Sequence, residues 1–283
     1  MEMFNFSAAE TGRINQALTF IHKKEVDIDL LSLSLLIIKT ENFFDECEQL
    51  APYYSTLGLE NTNARLVFNA AKGGVHKILV NKEAISHLSY VHTLVTELVH
   101  LSHLLRYNAD HGNVYRFTSE QGIAHYYYEF LLWTKFQAMK ISTRAHALVS
   151  WHEVNGEQPP PGGRYQFGEV NLHSEGVAAS LEQLQGCGAI AAWREGFWEF
   201  LEALANYFGR LAFYQQGARP QELDETFPAE AVDRMIGLEN CLAFYAALQQ
   251  AKDYEGWQGQ KQNIRRIIVA MQEHGKGLYP PGV

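Results

Sequence analysis

Apolar positions recur every three or four residues along most of the chain, and only two short stretches alternate instead. Ser7 followed by Glu10 forms a capping-box pattern that opens a helix with Ile14, Ala17, Leu18 and Ile21 on its apolar face. Residues 28–38 alternate loosely and fit either a buried strand or the start of a helix. Residues 41–50 return to helical spacing. The period then drops to two in Ala64–Phe68 and Val75–Val80, on either side of Lys72-Gly73-Gly74. Glycine there supplies the positive φ that a hairpin turn needs, so these runs are expected to pair as strands.

Two long helices should follow, over about 82–106 and 118–141. The first stacks Ile85, Leu88, Val91, Val95, Leu98 and Ser102 at helical spacing, and the second starts at a capping box, Thr118 to Gln121. Residues 150–175 differ in kind, because Pro159-Pro160-Pro161-Gly162-Gly163 cannot continue a helix. Helical periodicity resumes over roughly 176–185, 189–215, 229–251 and 257–274. In that half Trp193, Phe197, Phe200 and Leu204 recur as a core stripe should. The last residues, from Tyr279, read as a tail.

Composition narrows the class. With 47% hydrophobic and 19% charged residues, the 283-residue chain has ample apolar material for one large or two modest cores. Acids outnumber bases by 32 to 23, a net charge of -9, which argues against a nucleic-acid partner. Cys47, Cys187 and Cys241 are odd in number and far apart, which suits a reducing compartment. The first residues lack a basic segment leading into an apolar one, and the greasiest run, Leu30 to Ile38, is about half a membrane span. The expectation is a cytoplasmic protein with neither membrane nor nucleic acid as partner.

Candidate chemistry lies on the two central helices. Eight of the twelve histidines fall between His76 and His146, and neutral imidazole is the commonest transition-metal ligand. In H-E-x-x-H, two histidines one turn apart hold zinc while the glutamate polarises the bound water. This chain has Thr96-Glu97-Leu98-Val99-His100, with threonine in place of the first histidine. The segment, with a hairpin before it and the apolar flanks Thr93-Leu94-Val95 and Leu98-Val99, resembles the zincin metalloproteases, in particular the gluzincin branch and its compact ImmA/IrrE-like members.

That resemblance places a third zinc ligand, a glutamate, on the next helix. Here the segment reads Ser119-Glu120-Gln121-Gly122-Ile123-Ala124. Aligning Ala124 with the family's alanine puts Gln121 at the ligand position, and a one-residue slip puts Glu120 there. His100 and Glu120 are thus the two candidate metal ligands, while Thr96 and Gln121 occupy degenerate positions. A catalytic zinc normally takes three protein ligands and a water. His92 lies two turns before His100, about 12 Å along the axis, too far to share an ion. His103, one turn on, is close enough to pair with His100 but would consume the general base.

The resemblance implies an α+β protein: a zincin-like domain over 1–146, a Pro/Gly-rich connection over 147–175 and a helical bundle over 176–283. Because Thr96, and in one register Gln121, stands where a ligand is expected, the leading expectation is a protein without peptidase activity or cofactor that binds a peptide or protein partner through the inherited cleft. The alternative is a zinc-dependent peptidase in which His125, His146 or His173 replaces the lost ligand and Glu97 is the catalytic base. A chance match within an α-rich interaction protein is the third reading. Nucleotide-binding glycine loops and a serine nucleophile elbow are absent from the sequence. His152-Glu153 leads into the Gly/Pro-rich loop with no second histidine and is discounted.

Overall fold

In the computed structural model the alternating segments build a four-stranded mixed sheet: β1 (Glu2–Phe4), β2 (Leu35–Thr40), β3 (Ala64–Val67) and β4 (His76–Asn81), in the order β1-β2-β4-β3. The structure describes residues 1–21, 33–54, 63–83, 88–157, 173–187, 190–215, 223 and 225–276. His87, the Pro159–Gly163 run, the breaks at Gly188 and Gly217–Pro220, and the tail from Tyr279 lie outside them. β2 runs parallel to both β1 and β4, from Leu35 opposite His76 to Thr40 opposite Asn81. The residue 28–38 ambiguity is therefore settled as strand from Leu35 onward, while residues 28–32 lie outside the description.

β3 and β4 pair antiparallel, with Ala64 opposite Val80 and Leu66 opposite Ile78, as the alternation predicts. Their turn needs its glycines. The Gly74 N–H donates to the Ala71 carbonyl at 2.9 Å, closing a four-residue turn with Gly73 third, at φ 72°. A Cβ on Gly74 would fall 2.4 Å from the Asn69 side chain.

The helices are α1 (Ala8–Thr19), α2 (Phe43–Tyr54), α3 (Ser89–His111), α4 (Ser119–Ala124) and α5 (Tyr127–Asn155), with a 3-10 turn at Val114–Arg116. Both capping boxes form, Ser7 with Glu10 and Thr118 with Gln121. The helix expected over 82–106 is described from Ser89, and it runs to His111, where Gly112 at φ 89° caps it. The single helix expected over 118–141 is two. Tyr126 takes a left-handed φ of 58° between them, and α5 then continues to Asn155. Residues 147–155 of the expected connection are accordingly helical.

The rest comprises α6 (Ser174–Gln185), α7 (Ile190–Tyr214), α8 (Ala229–Ile236), α9 (Leu238–Gln250) and α10 (Tyr254–Lys276). The helix expected over 229–251 breaks at Gly237, whose φ is 78°. The chain is thus α+β, and among the described residues no helix is long and apolar enough to cross a membrane.

The fold divides into two units, Met1–His125 with Ile141–Gly168, and Tyr126–Lys140 with Glu169–Val283, so the division falls inside α5. In the first unit the sheet packs against α3. Every residue of α3 from Thr93 to Leu104 is buried, polar ones included. In the second, Trp193, Phe197, Phe200 and Leu204 are buried as the stripe predicts. There the Trp133 indole and the Gln137 amide both donate at 2.7 Å to the carbonyl of Ala251, the residue that ends α9. Side chains thereby satisfy a helix-terminal carbonyl that has no partner in its own helix.

Candidate functional site

Helical spacing puts Glu97 and His100 on one side of α3, and the sheet determines what they meet. Glu97 has no solvent exposure and His100 is 5% exposed. The Glu97 Oε2 accepts the backbone N–H of Leu66, on edge strand β3, at 3.2 Å, and lies 4.0 Å from the His100 Nδ1. Glu97 therefore joins the central helix to the sheet edge. A buried carboxylate survives only when hydrogen-bonded or paired, and a main-chain donor supplies part of that here.

Thr96, which the resemblance aligns with a ligand position, is buried too. Its hydroxyl donates to the carbonyl of His92 one turn back at 3.0 Å, and that of Thr93 does the same to Ser89 at 3.3 Å. This back-bonding satisfies the hydroxyls inside the helix.

Glu120 is exposed in the first turn of α4, and Gln121 is exposed beside it. The Gln121 N–H donates to the Thr118 hydroxyl at 3.2 Å, and its Oε1 accepts the Thr118 N–H at 3.1 Å. Capping therefore accounts for Gln121 without a metal.

The other histidines are dispersed. His92 Nε2 lies 3.1 Å from the Ser142 hydroxyl and 3.4 Å from that of Thr143, with its ring 6.2 Å from the His146 ring. The His111 and His125 rings lie 5.2 Å apart, tilted by 40°, with Tyr107 beside His111 and Phe117 beside His125. His103 is buried on α3. His173 lies in the second unit, 3.2 Å from Glu175. Burial pushes the pKa of His76 and of His146 below the ordinary imidazole value. Glu153, in the discounted His-Glu pair, makes a two-pronged contact with Arg13 at 2.9 and 3.0 Å.

Among the described residues no three histidine, cysteine, aspartate or glutamate side chains are grouped to hold a metal ion. With the Thr96 hydroxyl turned into its helix, these residues do not fit a three-ligand zinc centre.

Two groupings were invisible in the sequence. Leu66 partners Glu97 through its backbone, which carries no signal of residue type. Glu129, 3% exposed, receives two hydrogen bonds from Arg265, at 2.5 and 2.9 Å, within the second unit. These residues lie 136 positions apart, and the Arg265 guanidinium also covers the Tyr126 ring at 3.8 Å. Arg265 is thus committed to an internal ion pair.

Comparison with family models, curated proteins and solved structures finds no match for this chain.

Proposed function

We propose that the chain is a zincin-like protein whose Glu97–His100 couple has become a buried strut, and that it binds a polypeptide rather than hydrolysing one. The observation that carries this reading is the engagement of Glu97: fully buried, with its Oε2 taking the Leu66 N–H at 3.2 Å. A general base must reach a water at hydrogen-bond distance in an accessible site, and this carboxylate is buried, with its Oε2 engaged by the main chain. The internal bond of the Thr96 hydroxyl supports the same reading. The polypeptide class rests on the zincin resemblance, in which an edge strand precedes the motif helix, as β3, β4 and α3 do here. Sheet edges bind extended peptides through their main chain.

Elemental mass spectrometry on protein purified without a histidine tag or chelator tests the loss of the metal. Zinc should stay far below one per chain even after supplementation, and a value near one would overturn the proposal. Thr96→His, alone and combined with Gln121→Glu, tests the zincin assignment. The substitutions should restore micromolar zinc binding, and no gain in either folded variant would reject the assignment. A fluorescent random-peptide library tests the binding half, which fails if no peptide binds saturably.

A further inference from the structure

A cavity of about 560 Å³ opens beside the β3–β4 turn, between that turn, the start of β2 and the C-terminal part of α3. That volume is in the range of small-molecule sites. Among the described residues lining it, Lys72 carries the only full charge and no carboxylate is present. In a chain with 32 acids and 23 bases, a cavity whose described lining carries a lysine and no acid favours a negative ligand.

Its donors include Lys72 and His76. His76 Nδ1 accepts the Asn69 N–H at 3.1 Å. The ring proton of the neutral imidazole therefore sits on Nε2, which leaves that nitrogen a donor. Stacking on Phe68, with centroids 5.3 Å apart and planes 17° apart, holds the ring in place. Asn108 also lines the cavity, from the C-terminal part of α3. Leu33 and Leu105 supply an apolar wall.

We propose that this cavity binds a small organic anion, a carboxylate or phosphate head on a short aliphatic tail, with Lys72 and His76 facing the head and Leu33 and Leu105 the tail. The site is separate from Glu97 and His100 and does not depend on the function proposed above.

The test is an amide-resonance titration of the full ¹⁵N-labelled chain with hexanoate, hexyl phosphate, hexylammonium and inorganic phosphate. Hexanoate or hexyl phosphate should shift the amides of residues 69–76 and 105–109 saturably, and whichever binds more tightly identifies the head group. Lys72 is exposed, so Lys72→Glu and Lys72→Gln should stay folded, and Lys72→Glu should weaken that binding about tenfold or more. Any of four results would overturn the proposal: hexylammonium shifting the same amides equally, inorganic phosphate binding as tightly as the tailed anions, unchanged binding in Lys72→Glu, or no saturation by either tailed anion below about 50 mM.

Discussion

The Glu97 carboxylate accepts the Leu66 backbone N–H at 3.2 Å, tying the motif helix α3 to edge strand β3 from a position with no solvent exposure. A residue that only the resemblance marks as a catalytic base is thereby a tertiary tether. Its removal should be felt first in stability.

Glu97→Ala should cost about 2–4 kcal/mol, since it strands a buried main-chain donor and leaves a cavity. Glu97→Gln keeps an acceptor for Leu66 and should cost less than half as much. Urea unfolding of both variants measures the difference. An alanine variant as stable as the parent would remove the tether from the argument.

In the second unit, Arg265→Ala should destabilise by about 3–5 kcal/mol, because it leaves the Glu129 carboxylate buried without its cation. Replacing both partners, as Glu129→Gln with Arg265→Met, should recover much of that loss. A double-mutant cycle by chemical denaturation reads the coupling, and additive single effects would contradict it.

Gly209→Ala would ordinarily favour helix by about 1 kcal/mol. Here its Cβ would meet the Phe136 carbonyl at 2.5 Å and the Met139 Cβ at 2.7 Å, where α5 and α7 approach within the second unit. The variant should lose about 1–3 kcal/mol, the usual cost of overpacking. Thermal unfolding gives the sign directly, and a raised midpoint would show that the two backbones are free to separate.

His76 and His146 are both held neutral by burial, below the ordinary value of 6.5. Above that pH neither state is protonated, so these groups contribute nothing to the pH dependence. Below it the unfolded chain takes up protons that the folded chain refuses, and stability falls until the folded pKa is passed. Each histidine contributes a slope of up to about 1.4 kcal/mol per pH unit. His173 acts in the same direction, through burial and the nearby Arg210 charge. Unfolding free energies between pH 7.5 and 5.5 should therefore decline, and less steeply in His146→Gln. A flat profile in the parent would contradict the buried neutral imidazoles.

Local patterns carried much of the architecture. The β3–β4 hairpin, both capping boxes and the aromatic stripe of α7 follow from neighbours a few residues apart, whose steric and hydrogen-bonding demands are met within one element. The periodicity failed where an apolar run hides a change of direction. At Tyr126 and Gly237 the apolar spacing carries on, while a positive φ breaks the helix between residues that are helical on both sides.

The candidate site divides the same way. That Glu97 and His100 share one side of α3 was legible, because helical spacing alone sets it. What each does was not. The hydrogen bond from Leu66 comes from a strand 31 residues away, through a backbone group that every non-proline residue possesses. The Glu129–Arg265 pair and the Lys72–His76–Asn108 cavity likewise join segments distant in sequence. The sequence by itself determined which elements form and which chemical groups they display, since those depend on local backbone preference and period. Tertiary structure alone decided which groups are buried together, because burial and long-range hydrogen bonds exist only once separate elements have packed.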